Sequence, residues 1–588
     1  MIATRLLLEA VALGEVIAVA HNAAYDVGVV TQAASEDRAW GVEADLSLSP
    51  IALAFQAYRA DGLSCTMIRE KLRKIALGRA RHDPTQGGRP RYSLAALALE
   101  HRGVVLGGKG ADAWRLRYHE LDGVPLADWP MDAIEYPKAD VAHLPAIWRA
   151  QRPSADFGDL VDRWPDEQAQ CRAHWALHLT AAAGLRTDAE SVERLEALLE
   201  ARIAEVIPRM QQAGLVRPNG SIDDKALRAA VGEAYRRQGE EPPQTAKGAV
   251  SRSSEALAES GDPLLVAWGQ VSSDRTELSN SIPLLRTGTR LPINTYYDPL
   301  KVTGRTGSAR PALQNQPRRP GVRECFCPRP GRIFASIDYA AAELVAFAQI
   351  LIDVVGFSEL AEVLRRGLDP HKVTGADLAG CSYEELTTAI AAGDKDAQDW
   401  RQLGKAVNFG VGGGLGPDAF RAFAAASYGV DIDEDEAARV LAAVKSRYPE
   451  IHRYLRHVGQ MVDQGGGSIL FTHPTSDRLY EIEGGRVYSR ACNAPFQGMV
   501  ADGAKAALFA VAEECYVGEP CPHCDGLGLA ERRRGAPACP SCEGRGYRRG
   551  ALYGSRPVIF LHDEIVAEVP SDPAEATAAA DRLAEVMV

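Results

Sequence analysis

Two aspartates that each follow an apolar run carry most of the chemical information in this sequence. Asp338 comes just after a run that begins at Ile333, and Asp563 comes after a second run that begins at Val558. Short apolar runs predict buried strands, so both carboxylates are expected at strand ends. Two carboxylates held together in this way can bind two divalent metal ions and support phosphoryl transfer.

Three residues between the aspartates are spaced so that they share one face of a helix. Arg401, Lys405 and Phe409 recur every four residues, about one helical turn apart. Two cations and an aromatic ring on one face can hold a triphosphate and stack on a base or sugar. Taken alone, these residues also fit a salt-bridged surface face, so the flanking sequence has to decide between the two.

That flanking sequence resembles the bacterial DNA polymerase I group, the family A DNA polymerases, and in particular their phage members. The resemblance runs through nearly the whole chain in order. The matching segments are thumb-like segments at 243–245 and 253–255, a palm loop at 303–305 and 313–319, a first palm motif at 338–344, a histidine at His371, a fingers helix motif at 401–410, a primer- and template-contacting helix at 493–498 and a second palm motif at 561–564.

The resemblance implies an α/β multidomain protein in which a partial RNase H-like 3′–5′ exonuclease domain precedes a right-hand polymerase domain. The exonuclease-like domain is expected at residues 1–185 and the polymerase domain at residues 186–588. Within the polymerase domain, the expected subdomains are the thumb at about 205–290, the fingers at about 353–475, and the palm at about 291–352 and 476–588.

The resemblance also implies a reaction, the template-directed addition of dNTPs to a primer 3′ end in DNA replication. Asp338 and Asp563 would bind two Mg²⁺ ions. Arg401 and Lys405 would bind the triphosphate and offset the charge that develops during transfer, so these four residues are the expected catalytic set.

Further residues are implied in substrate binding. Those expected around the nucleotide are Tyr339, Glu343, His371, Arg401, Lys405 and Phe409. Those expected to contact DNA are Arg305, Gln314, Asn315, Arg319, Asn493, Gln497 and His562. Glu343 would occupy the 2′ position of the incoming sugar, which argues against a single-subunit RNA polymerase. The alternatives to a DNA polymerase are a single-subunit RNA polymerase, a catalytically idle DNA-binding subunit and a fragment of a split polymerase.

Three departures from the family pattern change individual contacts. Ala340–Ala342 stands where the family usually has Ser-Gln-Ile, and Arg490 lies one residue off the register of the family's arginine. Gly413 stands where a tyrosine usually follows the fingers phenylalanine by one turn. Polar contacts are therefore lost at 340–342, and stacking on the template base must differ around Gly413.

The first 185 residues retain only part of an exonuclease pattern. The segment with Asn22 and Asp26 resembles the second motif of a 3′–5′ exonuclease, and the segment with Tyr136 and Asp140 resembles the third. The resemblance makes the two aspartates metal ligands and the tyrosine a group that orients water. The first motif, Asp-x-Glu, is missing, so we expect no proofreading by this chain alone. Both ends look short, which leaves a partial sequence, a misplaced start and a split polymerase open.

Two C-x-x-C-x-G-x-G units predict a metal site. Cys521 and Cys524 lie in the first unit and Cys539 and Cys542 in the second, within an insertion at 517–550. Two such hairpins can surround one structural Zn²⁺ ion with four thiolates, and the glycines allow the tight turns. The units resemble the zinc region of DnaJ-type cochaperones. A redox pair is the alternative.

Local patterns predict some of the elements that must position these residues. Val16–Ala20 predicts a buried strand, and Thr187 with Glu190 predicts a capping box at the start of a long helix. That helix carries an apolar stripe typical of core packing, made of Val192, Leu195, Leu199, Ile203 and Val206. Residues 353–465 are expected to be mostly helical, and a strand is expected at Ser468–Phe471.

Composition bounds the remaining possibilities. A chain of 588 residues exceeds the size of one hydrophobic core, so several domains are expected. The net charge of −12 argues only weakly against a nucleic-acid partner, because the stretch from Lys301 to Arg332 has eight cations and a single acid, Glu324. Such a stretch suits phosphate binding and equally a solvated basic loop.

The apolar runs fall well short of the ~20 residues that a membrane span requires, and the first residues lack the plan of a signal peptide. We therefore expect a cytoplasmic protein of a bacterium or phage-infected cell, without a membrane partner. The expected partners are primer–template DNA, dNTPs and a replication accessory protein, and the expected oligomeric state is a monomer.

Overall fold

The structure is a computed structural model that describes residues 2–36, 48–83, 86–107, 113–157, 163–245, 248–316 and 320–588. Across these ranges the chain is an α/β protein built mostly from helices, with small sheets between them. None of the helices in these ranges has the length and apolar composition that crossing a membrane requires.

The N-terminal segment packs helices around two parallel strands, β1 (Ala18–Ala20) and β2 (Leu63–Cys65). Its helices are α1 (Ile2–Ala12), α2 (Ala23–Glu36), α3 (Pro50–Arg59), α4 (Thr66–Ala76), α5 (Leu94–Arg102), α6 (Met131–Ala142), α7 (Leu144–Ala150), α8 (Ser154–Phe157) and α9 (Glu167–Ala183). The strand predicted over Val16–Ala20 is shorter than expected. Pairing with β2 begins only at its third residue, and Val16 and Ile17 are exposed.

Residues 184–290 form a mostly helical region. Its elements are β3 (Arg186–Thr187), α10 (Ala189–Gln212), α11 (Asp224–Gln238), α12 (Ser254–Ala258) and α13 (Pro263–Gly288). The apolar stripe predicted along α10 is confirmed, since four of its five members are buried and Ile203 is half-buried against them. This stripe packs α10 on α13.

The predicted capping box at the start of α10 is wrong. The N-cap residue is Asp188, whose carboxylate accepts the backbone N–H of Ser191 at 2.8 Å. Thr187 belongs to β3, and its hydroxyl donates to the carbonyl oxygen of Leu285 at 2.5 Å. Aspartate caps a helix at least as well as threonine does, and Thr187 pairs with Phe326 of β6 instead.

Residues 291–465 begin with strands and continue as helices. The strands are β4 (Tyr296–Asp298), β5 (Gly307–Ala309), β6 (Phe326–Cys327) and β7 (Arg332–Asp338). The helices are α14 (Ala342–Val355), α15 (Glu359–Arg365), α16 (Pro370–Ala379), α17 (Tyr383–Ala391), α18 (Lys395–Gly412), α19 (Pro417–Tyr428), α20 (Glu434–Arg447) and α21 (Pro449–Gln464). The helical character predicted for residues 353–465 is confirmed.

The last part of the chain returns to strands around one long helix. Its elements are β8 (Ile469–Thr472), β9 (Leu479–Ile482), α22 (Val487–Tyr516), β10 (Glu519–Pro520), β11 (Tyr547–Arg548), β12 (Arg556–Leu561), β13 (Glu564–Pro570) and α23 (Pro573–Met587). The strand expected at Ser468–Phe471 is present as β8, shifted by one residue.

Strands β12, β13 and β7 form a three-stranded antiparallel sheet with β13 in the centre. Helices α9, α22 and α23 pack against it. One buried core joins Trp175 of α9, Phe509 of α22 and Ile565 of β13. The N-terminal segment and this sheet are therefore built on a common core.

Candidate active site

Three carboxylates meet at one end of the three-stranded sheet. Asp338 is the last residue of β7, and the antiparallel register sets it opposite Glu564, the first residue of β13. The turn between β12 and β13 consists of His562 and Asp563, and His562 has the left-handed φ of 64°. The tight turn keeps Asp563 at the strand end, beside the other two carboxylates. The hydroxyl of Ser336 donates to Glu564.

The proximity of Asp563 and Glu564 affects the pKa of Asp338. Burial, followed by the charges of Asp563 and Glu564, raises the pKa of Asp338 above its ordinary value. Like charges raise the cost of ionising each group. Among the described residues, no lysine or arginine forms an ion pair with Asp338 or Asp563. Uncompensated carboxylate oxygens fit hard divalent cations such as Mg²⁺.

The face predicted for Arg401, Lys405 and Phe409 lies on α18, which packs along α16. Two glycines allow the helices to approach this closely. A Cβ at Gly404 would collide with a backbone carbonyl oxygen of α16, and one at Gly375 would lie 2.8 Å from a backbone oxygen of α18. The close packing makes α16 a rigid support for the cationic face.

Helix α16 holds two of the residues that touch this face. Asp369 caps α16 and forms an ion pair with Arg401, with 2.9 Å between a guanidinium nitrogen and a carboxylate oxygen. The ring of His371 lies 5.4 Å from that of Phe409, measured between centroids. The amide nitrogen of Asn408 is 3.2 Å from Nδ1 of His371. Arg401 and His371 are thus fixed by neighbours that are themselves part of the helix pair.

His371 is neutral at physiological pH. Burial lowers its pKa to about 4, the cations Arg401 and Lys405 add to this effect, and Asp369 opposes it. A neutral imidazole beside two cations can still donate an N–H to an anion. His371 therefore adds a hydrogen-bonding group, but no charge, to the cationic face.

A cavity of about 370 Å³ brings together predicted residues from distant parts of the sequence. Arg305, Glu343, Phe409, Asn493 and Gln497 all line it. Arg305 forms an ion pair with Glu343 across it. Arg305 also lies near the carboxylate end of the sheet: burial, and then the charge of Arg305, lower the pKa of His562 in the turn between β12 and β13.

Two residues predicted to contact DNA, Gln314 and Asn315, lie outside this cavity. The amide of Gln314 donates to the hydroxyl of Thr306 at 2.8 Å and to the carbonyl oxygen of Phe560 at 3.0 Å, so its side chain braces β12. Asn315 lines a separate cleft with residues of α13. Arg319 lies outside the described residues. The resemblance alone did not show that Gln314 already has two partners within the protein.

The exonuclease-like residues occupy two different helices. Asp26 lies on α2, which packs on α3 and α9, and Asn22 precedes that helix with a φ of 62°. Burial raises the pKa of Asp26 to about 6. Tyr136 and Asp140 lie on α6, which packs on α7. Within the described ranges, none of these residues belongs to a cluster of three or more metal-ligating side chains.

A buried charge network that sequence inspection missed supports the loop with Arg305. Arg478, 1% exposed, pairs with Asp166 of the N-terminal segment and with Asp502 of α22. Lys505 donates to the carbonyl oxygen of Gly304 at 2.8 Å and pairs with Asp502 at 3.2 Å. The only sequence signal was a pair of opposite charges, three residues apart, in an otherwise apolar stretch of α22.

A second missed residue is Tyr428, the last residue of α19, which lines the same cavity as Phe409. No local pattern distinguishes this tyrosine from an ordinary helix-terminal one. Its place in the cavity depends on the packing of α19 on α18, which no local sequence pattern reveals.

The four cysteines of the insertion form one cluster. Their sulfur atoms all lie within 4.8 Å of one another, and His523 is exposed outside the cluster. The two units are alike in detail: the N–H of Gly528 donates to Sγ of Cys524, and the N–H of Gly546 donates to Sγ of Cys542, both at 3.3 Å. Four clustered sulfurs, two of which accept a backbone N–H group, fit a tetrahedral Zn²⁺ site.

The cysteine units also contact the N-terminal segment. Gln56 of α3 donates to the carbonyl oxygen of Asp525 at 2.8 Å and to the hydroxyl of Tyr547 at 2.7 Å. Arg59 pairs with the buried Glu513 of α22 at 2.6 Å. Tyr547 donates to the same glutamate at 2.9 Å. The insertion therefore packs between α3 and α22.

Comparison with known proteins agrees with this arrangement. A family model described as DNA polymerase family A matches residues 237–588. DNA polymerase I of Pseudomonas aeruginosa is 30% identical over 229 residues, which are 37% of this chain and 22% of that protein. DNA polymerase I of Chloroflexus aurantiacus is 27% identical over 418 residues, 67% of this chain and 38% of that protein. The chain spans less than half the length of these relatives.

Among solved structures, the chain is similar to one described as the POL domain of Pol1 from M. smegmatis in complex with DNA primer-template and dNTP. The TM-score is 0.60 and the sequence identity 18%, and the match covers 91% of this chain and 82% of the other. At this level of identity the likeness concerns the fold.

Proposed function

The chain belongs to DNA polymerase family A, and on that premise we propose that it is a template-directed DNA polymerase that adds dNTPs to the 3′ end of a primer. The observation that carries the proposal is the carboxylate cluster of Asp338 and Asp563, near which Arg305 lines the same cavity as Phe409 of α18. The carboxylates suit metal-assisted phosphoryl transfer, and the cavity beside α18 suits a nucleoside triphosphate.

The cationic face of α18 binds the triphosphate in this proposal. Arg401, held by Asp369, and Lys405 offset charge on the transferring phosphoryl group, and neutral His371 donates a hydrogen bond. Asp338 and Asp563, with the carbonyl group of Tyr339, would hold the Mg²⁺ ions, which supply Lewis-acid activation of the attacking and leaving oxygens.

Selection of the sugar rests on Glu343. Its pairing with Arg305 across the cavity supports a role in filling the space where a 2′-hydroxyl would lie, while Phe409 packs on the incoming nucleoside. Such a contact discriminates sterically and by desolvation, so it favours dNTPs over ribonucleotides.

Primer–template DNA is the proposed partner. Arg305 and, on α22, Asn493 and Gln497 line the nucleotide cavity. Asn315 lines the cleft beside α13, and His562 lies in the turn between β12 and β13. Polar and cationic side chains at these positions are suited to the sugar–phosphate backbone and to base edges.

The subdomain boundaries follow from the same proposal. The helical region at about 205–290 serves as the thumb, the helices at about 353–475 as the fingers, and the segments at about 291–352 and 476–588 as the palm. Residues 1–185 form an exonuclease-like domain that lacks proofreading.

The insertion at 517–550 is proposed to bind one structural Zn²⁺ ion through Cys521, Cys524, Cys539 and Cys542. The paired N–H···S contacts and the wedged position between α3 and α22 support a structural role rather than a redox one. A bound zinc ion would stabilise the two hairpins, which otherwise have little apolar core of their own.

Primer extension with dNTPs and Mg²⁺ tests the proposal. Replacing Asp563 with Asn should lower the extension rate by about a thousandfold or more, because a metal-binding charge is lost. Asp353→Asn is the matched control, since this exposed aspartate on α14 carries the same charge. Extension by Asp563→Asn at the wild-type rate would contradict the proposal.

Two other outcomes favour the alternatives. Robust incorporation of NTPs by the wild-type chain would point to an RNA polymerase. Tight primer–template binding without extension under any divalent metal would point to an idle DNA-binding subunit.

A further inference from the structure

A second cleft, of about 600 Å³, lies between the N-terminal segment and the loop after β4. Its lining comes from α4, from the described parts of the chain that follows α4, and from residues 298–303. Four cations line it: Lys71, Arg81, Arg89 and Lys301. The nucleotide cavity does not include any of them, so they are not accounted for by the active site described above.

The positive charge of this cleft exceeds what its own acid can neutralise. Asp298 is the one acidic residue in the lining, and it pairs with Lys71 at 2.8 Å and with Lys301 at 2.7 Å. Arg81 and Arg89 are exposed, and within the described part of the chain neither forms an ion pair with this carboxylate. Four cations therefore share one carboxylate in a concave surface, where field lines are concentrated.

One of these cations is built into the protein. The side chain of Lys71 is only 7% exposed, and its ammonium group lies 4.1 Å from the centroid of the Tyr92 ring. Burial lowers its pKa, and Asp298 opposes that shift. A lysine held in this way is a fixed part of the cleft, unlike a freely moving surface lysine.

The cleft adjoins the proposed DNA-binding residues on two sides. Thr303 lines it, and the chain reaches Arg305 of the nucleotide cavity two residues later. On the other side, Arg81 lies near enough to Arg490, in the first turn of α22 and one turn before Asn493, for its charge to act on that arginine. Burial, and then the charge of Arg81, lower the pKa of Arg490. Two neighbouring guanidinium groups favour an anion between or beside them.

Arg79, a further cation at this edge, is not counted as part of the cleft. It lies near Glu481, which together with Glu483 forms the acidic border of the β9 hairpin. The excess of positive charge therefore remains on the side of Arg81, Arg89 and Lys301.

We propose that this cleft binds the sugar–phosphate backbone of the DNA strand that passes beside the N-terminal segment. The inference rests on the proposed polymerase function and extends the DNA-binding surface beyond the residues of the family motifs. Lysine and arginine side chains that contact phosphates do not read the bases. We therefore expect the contact to be independent of DNA sequence.

The test is primer–template binding at a series of KCl concentrations, measured by fluorescence anisotropy without Mg²⁺ or dNTP. The variant is Arg81→Ala with Arg89→Ala. Each lost phosphate contact makes the slope of log K against log [salt] shallower by about 0.9, so the double variant should lose about two units of slope. At 0.1 M salt its affinity should fall roughly 10- to 100-fold, equally for unrelated DNA sequences.

The matched control is Arg117→Ala with Arg365→Ala. These two arginines are 40% and 61% exposed, and each pairs with a glutamate three residues away on the chain. The control removes the same charge and should leave the slope unchanged. Equal slopes for the cleft variant and the wild type would overturn the inference.

Inorganic phosphate and extension assays separate the remaining explanations. If phosphate binds the wild type but not the cleft variant while the DNA slope stays the same, the cleft is a site for a free anion and the inference fails. If the slope becomes shallower although the chain extends no primer, the cleft inference stands and the polymerase proposal fails. Normal extension with an unchanged slope in the variant overturns the cleft inference alone.

Discussion

Tyr428 stacks on Phe409, with ring planes 9° apart and ring centroids 6.3 Å apart. The ammonium group of Lys405 lies 5.9 Å from the same tyrosine ring. The tyrosine that the family pattern has one turn after Phe409 is Gly413 here, and a Cβ at that glycine would lie 2.8 Å from the amide nitrogen of Asn493. An aromatic ring from α19 thus packs on Phe409 of α18, and a side chain at Gly413 would require Asn493 to move.

Loss of this ring should weaken nucleotide binding more than chemistry. For Tyr428→Ala we expect the KM for dNTP to rise roughly 2- to 10-fold with a smaller change in kcat, since an aromatic pair contributes about 0.5–1.5 kcal/mol. Tyr428→Phe keeps the ring and should behave as the wild type. Steady-state extension kinetics of both variants measure this, and equal KM values for Ala and Phe would rule out the stacking role.

The buried network around Arg478 should be important for stability. Arg478→Met leaves the carboxylates of Asp166 and Asp502 buried without their main cation, which typically costs about 3–5 kcal/mol. The expected result is a lower free energy of unfolding in urea. Arg286→Met, which removes an arginine that is 63% exposed and paired with Glu196, is the control and should change stability by less than about 1 kcal/mol. If both variants lost a similar amount of unfolding free energy, the buried network would stabilise the protein no more than an exposed ion pair does.

The cysteine cluster should bind one zinc ion and stabilise the wedge between α3 and α22. Cys524→Ser should abolish zinc in elemental analysis and lower the free energy of unfolding by an amount on the order of several kcal/mol. It should also speed limited proteolysis near residues 517–550. Cys381→Ser, at a half-buried cysteine outside the cluster, should do neither. Wild-type protein that is free of zinc after purification from zinc-containing medium would contradict the assignment.

Glu70 should make the N-terminal segment sensitive to acid. Burial alone would raise its pKa, but the hydrogen bond and charge of His101, together with Arg73 and Gln151, lower it to about 2 from an ordinary 4.5. A carboxyl group whose pKa is lower in the folded state stabilises the protein above pH 4.5, and that contribution is lost as the pH falls toward 2. A shift of this size corresponds to roughly 3 kcal/mol.

The matched measurement is unfolding free energy between pH 6 and pH 2 for the wild type and Glu70→Gln. Because glutamine does not titrate, the variant should be less stable at pH 6 and should lose about 3 kcal/mol less over this range. Glu200→Gln, on the exposed face of α10, should follow the wild type. Parallel curves for the wild type and Glu70→Gln would exclude this role for Glu70.

Much of the candidate site was predictable because its signals are local. The common face of Arg401, Lys405 and Phe409 follows from helical periodicity alone, and the cysteine cluster follows from two short units of fixed spacing. Even so, the sequence did not predict the partners: Gln314 turns out to brace β12, and Asp188 rather than Thr187 caps α10. Side-chain partners depend on which elements pack together, and local patterns carry little information about that.

By itself, the sequence determined the chemical groups of this protein: two strand-end carboxylates, a cationic helix face and two cysteine hairpins, each set by a few neighbouring residues. Only the tertiary structure decided which distant groups meet. The register of β7 with β13 sets Glu564 beside the other carboxylates, Arg478 pairs with Asp166 across 312 positions, and Tyr428 of α19 stacks on Phe409 of α18. These contacts depend on burial and packing between segments far apart in the chain, and their energies appear only once the core that joins the segments has formed.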